Sequence, residues 1–268
     1  MNSDHFRRDA KHIFECFLEV AQPEDLSQSP FIIQSFPQNY KDRAADKLQS
    51  VPGFTFPCQL EITSVQNFSF VLTGEDGKWT FGFCRVAPHS HTALVFLSNL
   101  PWHEMFYKML NHAAELVSYH SQDELFRFLE ASHIAKVPEF GHTMHITWLT
   151  DKDDTADFTA PTPHPLNLPS IPENLNLTEY FNAIKTNEMI CMYAALLHER
   201  RIIITSKRLN RLTACVQVSF DIIFKRYAYK LYNYMCTQIF DYFFLNITGS
   251  QSFTLSNVMA TYLHSCVT

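Results

Sequence analysis

The stretch from Ser170 to Val216, SIPENLNLTEYFNAIKTNEMICMYAALLHERRIIITSKRLNRLTACV, constrains the fold more than any other part of the chain. Asn187 is placed to cap a helix in which Met189, Ile190, Tyr193, Leu196 and Leu197 recur at three- and four-residue spacing, ending at Glu199, Arg200 and Arg201. Ile202, Ile203 and Ile204 follow as an unbroken β-branched run without polar alternation, the pattern of a strand covered on both faces in a parallel sheet. Ser206 then opens a second helix with Leu209, Leu212, Val216 and Phe220 on one apolar stripe. Helix, strand and helix in this order make an α/β core. A nucleotide-binding unit of that kind places glycines just after the strand, where backbone N–H groups can approach phosphate. Here the strand runs into Thr205, Ser206, Lys207 and Arg208, and the whole chain holds only 6 glycines, which excludes a phosphate-cradling loop at this point.

The run SIPENLNLTEYF, followed by LLHERRIIITS and LTACV, closely resembles the start of the central DENN module in the connecdenn subfamily of DENN-domain proteins. The match is long and ordered, so it is more specific than a short motif. The resemblance implies an exchange factor for a Rab-family small GTPase, cytoplasmic and located on clathrin-coated vesicles or early endosomes. It also implies that any membrane contact is peripheral and runs through partners.

Upstream of this core the chain has its own organisation. Ile13 to Val20 reads as a strand, followed by a loop through Pro23 and Pro30, a short polar helix near Arg43 to Gln49, and an extended aromatic segment from Val51 to Phe56. Three strands follow, Asn67 to Thr73, Trp79 to Val86 and Thr92 to Leu97, the first two joined by Gly74-Glu75-Asp76-Gly77, a turn tolerant of positive φ. They form an antiparallel meander. After Pro101, residues Trp102, Met105, Phe106, Met109, Leu110, Ala113 and Val117 mark one long amphipathic helix that packs across the meander, and a second helix lies near Leu125 to Leu129. FSFVLT, FGFCRV and NLPWHEMFYKMLN resemble the longin-like upstream module of the same proteins, with His103 standing where they carry an aromatic residue. HTMHITW has no assignment.

Asp151 to Ser170 reads as a linker: Asp151, Asp153, Asp154 and Asp157 form an acidic run, and Pro161, Pro163, Pro165 and Pro169 disfavour helix and core alike. The expected fold is therefore α/β with an α+β first lobe. A longin-like antiparallel sheet with a long helix fills residues 1–150, a linker 151–170, and the start of a central DENN module 171–219. A divergent aromatic segment occupies residues 220–268, where the resemblance stops and the family's later strands and adaptor-binding tail are not recognisable. From this the second lobe is expected to be incomplete, with exchange activity weakened.

The class of molecule is bounded by charge and apolar content. A formal net charge of −6 disfavours nucleic acid as a partner, since phosphate backbones require clustered Lys and Arg. The longest apolar runs are short and interrupted, as by Asp241, against the roughly 20 residues a membrane span needs. The start, MNSDHFRRDAKHIF, has no apolar signal-peptide core. Seven cysteines without a C-x-x-C pair fit reduced thiols, and the sequons at Asn67, Asn176 and Asn246 are then accidental. Of 13 histidines, His142 and His145 with His133 and His164 invite a metal reading, but no cysteine joins them and no further ligand spacing is present. His198-Glu199 lacks the second histidine of a zincin and there is no G-x-S-x-G elbow, so no hydrolase, metal site or cofactor is expected.

Binding residues are expected on both lobes. Trp102 and Tyr107 cannot both sit at the centre of one narrow helical stripe, which leaves one of them to reach a partner. Glu173, Asn174, Asn176, Thr178 and Glu179 form a polar cluster just after the linker, where binding loops are common. The competing reading has Thr178 as a helix cap with Asn174 or Asn176 in a turn. Glu199, Arg200 and Arg201 are more simply explained by the helix dipole. Two functions follow: exchange on a Rab GTPase, or a longin-like interaction module that binds a GTPase or trafficking complex without catalysing exchange.

Overall fold

The structure, a computed structural model, describes residues 10–23, 28–40, 44–57, 62–74, 78–88, 90–119, 122–150, 154–164, 171, 174–198, 200, 202–227 and 243–247. The chain divides into two units, one formed by Asp4–Pro165 and the other chiefly by Leu166–Thr268.

The first unit is built on a five-stranded antiparallel sheet. Its strands are β1 (Cys16–Ala21), β2 (Phe31–Phe36), β3 (Gln66–Thr73), β4 (Trp79–Val86) and β5 (Thr92–Ser98), in the order β2-β1-β5-β4-β3. The expected β3-β4-β5 meander is present with the expected bounds to within a residue. The turn residues 75–77 lie outside the described residues. Two expectations upstream are corrected. The loop after Pro30 contains β2, whose apolar FIIQSF pairs with β1, and the first strand starts only at Cys16 because Ile13 and Phe14 turn into the core before it. Val51 to Phe56 is not extended: α1 (Ala45–Thr55) runs through it with Pro52 inside, and burial of Leu48, Val51 and Thr55 outweighs the proline penalty.

Side chains alternate across β4. Phe81, Phe83 and Arg85 face one side, and Thr80, Gly82 and Cys84 face the other, toward α1, where Lys47 Nζ donates to Thr80 Oγ1 at 3.1 Å. Gly82 stands directly opposite Phe70 on β3, and a Cβ there would collide with the Phe70 ring. The missing side chain lets that ring lie flat and stack on Phe54 of α1 at 5.3 Å.

On the opposite face lies α2 (His103–Tyr119), the long helix read from the sequence. Phe106 stacks on Phe83 with ring centroids 4.4 Å apart and planes at 10°. Behind it come α3 (Gln122–Ile134) and a two-stranded antiparallel hairpin, β6 (Thr143–Leu149) with β7 (Thr155–Pro161). HTMHITW is thus a strand. Its partner β7 comes from the acidic, proline-rich stretch expected to be a linker. TADFTAP alternates, with Phe158 and Ala160 inward and Thr155, Asp157 and Thr159 outward, so an edge hairpin accommodates the Asp and Pro that composition reads as breakers.

The second unit contains α4 (Leu175–Ala183), α5 (Thr186–Leu197), β8 (Ile202–Ser206), α6 (Leu209–Tyr227) and β9 (Phe243–Ile247). Helix, strand and helix fall where the sequence places them. The cap of α5 is not Asn187 but Lys185, whose N–H donates to the Glu188 carboxylate at 3.4 Å. Arg208 N–H donates to Ser206 Oγ at 3.1 Å at the start of α6. β8 pairs in parallel with β9, so the C-terminal aromatic segment does supply a neighbour for it; residues 228–242 and 248–268 lie outside the described residues. The three isoleucines alternate rather than being covered equally: Ile202 and Ile204 are buried and Ile203 is half-buried. Ile204→Asp is therefore expected to abolish soluble expression, since an unpaired buried charge costs several kcal/mol of a stability of roughly 5–15 kcal/mol. Ile203→Asp is expected to express with a lowered melting temperature. Equal behaviour of the two variants in thermal melts would contradict the alternation.

Candidate functional site

The polar cluster after residue 170 folds into the first turns of α4. Asn174 is its N-cap: Oδ1 accepts from Leu177 N–H at 2.7 Å, the backbone is extended, and the residue is only 8% exposed. Thr178 Oγ1 donates to the Asn174 carbonyl at 3.0 Å. The capping role thus falls to Asn174, with Thr178 bonded back onto it. Asn176 is half-buried, and Glu179 forms an ion pair with Arg211 of α6 at 3.4 Å (Nε to Oε2), the side chains partly exposed but the two paired atoms buried. Glu173 lies outside the described residues.

Beneath this turn α4 packs on α6 through Tyr180, and Ser219 Oγ donates to the Cys215 carbonyl at 2.6 Å. Burial pushes the Tyr180 phenol up to about 12, with the neighbouring Cys215 adding to the shift and a hydrogen bond with Ser219 opposing it. Burial likewise pushes the Cys215 thiol up to about 12, aided by Glu179 and opposed by Arg211. Nothing in the sequence ties Arg211 or Cys215 to α4. Their spacing of four residues on α6 marks only a shared helical face.

Trp102 and Tyr107 belong to the first unit and do not divide between core and surface. Both are 3% exposed. Trp102 lies edge-on to Phe140 at 5.7 Å and Tyr107 edge-on to Phe83 at 6.2 Å, so α2 is covered on more sides than one stripe allows. His103 takes up aromatic packing, its ring edge-on to Phe83 at 5.1 Å. Arg85, half-buried at the end of β4, donates from Nε to Asn111 Oδ1 at 2.9 Å. Burial lowers its basicity, and Glu115 offsets part of this. Of the histidines considered for metal, His133 stacks on His12 at 4.1 Å and His145 faces outward on β6. Among the described residues no group of three His, Cys, Asp or Glu side chains is placed to hold a metal ion. No helix among them is long and apolar enough to cross a membrane.

The two units are thus a longin-like antiparallel sheet carrying a long buried helix, and a helix-strand-helix unit with a polar cluster at a helix start. The chain belongs to the DENN (AEX-3) domain family. That family matches residues 89–225, and the uDENN domain matches residues 30–87. The chain is 40% identical over 223 residues to DENN domain-containing protein 1A of Xenopus laevis, covering 82% of this chain and 21% of the relative. It is 36% identical over 232 residues to DENN domain-containing protein 1A of Homo sapiens (84% and 22%) and 34% identical over 235 residues to DENN domain-containing protein 1B of Homo sapiens (82% and 30%). These are connecdenn proteins, as the sequence motifs indicate, and the chain spans between 21% and 30% of the length of these relatives.

Two outcomes follow from the geometry of α4. Asn174→Ala is expected to destabilise the second unit by about 1 kcal/mol, read as a lower urea midpoint, while Asn174→Asp retains most of it. An unchanged midpoint in the Ala variant would remove the capping role. The second outcome concerns pH. Tyr180 and Cys215 stay neutral in the folded state beyond their ordinary values of 10.0 and 9.0, at which the unfolded chain ionises. The unfolded state then binds fewer protons, so the contribution of these two groups to stability is constant below about pH 9 and falls as pH rises toward about 12. Cys215→Ala is expected to shrink that fall in urea midpoints taken on the alkaline side, and an identical slope in variant and parent would refute the assignment.

Proposed function

We propose that this chain acts as a guanine-nucleotide exchange factor for a Rab-family small GTPase in endocytic or endosomal membrane traffic, working in the cytoplasm on clathrin-coated vesicles or early endosomes. The observation that carries the reading is the ordered match of uDENN and DENN domains along one chain, residues 30–87 and then 89–225. Exchange needs no covalent step. A factor that binds the nucleotide-free GTPase more tightly than the loaded form weakens nucleotide binding by the same free energy, because the two equilibria are linked. The side chains that matter are therefore those of an interface. Asn176 and Glu179 are half-buried and partly accessible on α4, and with Glu173 they are the contact residues in this reading. Asn174 caps α4 beneath them, and Trp102 and Tyr107 are buried in the first unit.

Release of a fluorescent GDP analogue from a panel of purified Rab proteins tests this. The full chain is expected to accelerate release from one or two Rabs, and Asn176→Ala combined with Glu179→Ala to slow it about fivefold, the equivalent of about 1 kcal/mol of polar interface contact. Binding to a Rab with unchanged release would replace exchange by the non-catalytic longin-like module, and absence of binding across the panel would remove the exchange reading and leave that module only a trafficking complex as partner.

A further inference from the structure

α5 reads TNEMICMYAALL and is apolar over most of its length, yet among the described residues only one side of it is buried. Met192 and Leu196 are buried, with Met192 Sδ accepting from Ser219 Oγ of α6 at 3.8 Å. With about 3.6 residues per turn, Ile190 and Leu197 point in nearly the same direction on the opposite side, and Ala194 lies between them. Ile190 is 61% exposed, Leu197 is 44% exposed, and Ala194 and Cys191 are exposed beside them. A surface helix ordinarily turns polar residues toward water at those positions. Charged residues occur only toward the ends, Lys185 and Glu188 at the start and His198 and Arg200 past the finish.

We infer that this stripe packs against the same stripe of a second copy of the chain, the two α5 helices lying antiparallel about a two-fold axis near Ala194. The order large, small, large in Ile190, Ala194 and Leu197 is self-complementary. Turned about its centre, Ile190 of one copy meets Leu197 of the other, and the two alanines let the backbones approach to the short end of the roughly 8–10 Å range for packed helices. The antiparallel sense sets opposite dipole ends side by side. It also brings Glu188 of each copy toward the His198 and Arg200 end of the other, where a parallel pair would set Lys185 against Lys185. One helical stripe buries well under the roughly 800 Å² per partner of a standard interface, so the association is weak and concentration-dependent. This inference stands apart from the exchange reading.

Sedimentation velocity on the full chain over two orders of magnitude in concentration is expected to show monomer passing to dimer. Ile190→Glu with Leu197→Glu, both on exposed positions, is expected to hold it monomeric at the highest concentration. Cysteine cross-linking supplies a readout that does not depend on those charges. In a Cys191→Ser background, Ala194→Cys is expected to form a disulfide-linked dimer under mild oxidation, beyond the level of the background chain, because residue 194 lies at the axis. Ile190→Cys, about 12 Å from its own counterpart along the axis, is expected not to. A monomer at every concentration, a dimer indifferent to the double Glu variant, or equal cross-linking at 190 and 194 would overturn the inference. A monomeric parent whose Rab binding is lost in the double Glu variant would assign the stripe to the GTPase instead, which also overturns it.

Discussion

The first unit depends on the burial of α2 from more than one direction. Phe83 and Phe96 of the sheet meet Phe106 on one side, with the Phe83 and Phe106 rings in close parallel stacking. On another side His112 of α2 touches Phe128 of α3, Trp148 of β6 and Phe158 of β7, with ring centroids between 4.8 and 5.4 Å. An amphipathic helix laid on a sheet needs one apolar stripe, whereas α2 serves as the joint between a five-stranded sheet and a hairpin, and so it needs two. With α3, α2 covers the inner face of the β6–β7 hairpin, where Trp148 and Phe158 meet its His112. A two-stranded hairpin is marginal alone.

Sequence spacing could not show how α2 is covered: Trp102 is buried against Phe140 and Tyr107 against Phe83 of the sheet, while His112 carries the side that meets the hairpin. Trp102 and Tyr107 looked too far apart around the helix for both to be buried, which holds for a helix with one covered face. The covering elements were hidden. HTMHITW alternates Met144, Ile146 and Trp148 with His145 and Thr147, a half-buried strand by its period, but its partner TADFTAP sits among aspartates and prolines that dominate a compositional reading. Once β6 and β7 are recognised as a pair, the second apolar stripe of α2 has a partner. β2 and α1 were concealed in a similar way. FIIQSF lies between two prolines, and Pro52 interrupts a helix whose remaining residues are ordinary. The elements legible from sequence were those with a long uninterrupted period: the meander, α2 and the helix-strand-helix core.

In the second unit the structure decides between capping and a free loop for part of the polar cluster. Asn174 and Thr178 hydrogen-bond locally and finish a helix, the ordinary use of Asn and Thr at such a position. A short polar cluster before an apolar run cannot be separated from a binding loop without knowing whether its side chains reach back to the backbone. Asn174 does so and is buried, whereas Asn176 and Glu179 retain exposed surface.

On α5, Met189, Ile190, Tyr193, Leu196 and Leu197 recur at helical spacing, and the structure splits them. Leu196 goes inward with Met192, while Ile190 and Leu197 go outward. Spacing alone gives the set of residues near one another on a helix but not which side faces the protein, and a helix apolar on both sides gives no periodic signal to decide. An outward apolar stripe costs solubility unless something covers it, and α6 reaches only the inner side of this helix. The outer stripe, Ile190 and Leu197 with the small Ala194 between them, is thus the side of α5 turned away from Met192 and Leu196, and the size of its central residue limits how closely any helix laid on it could approach.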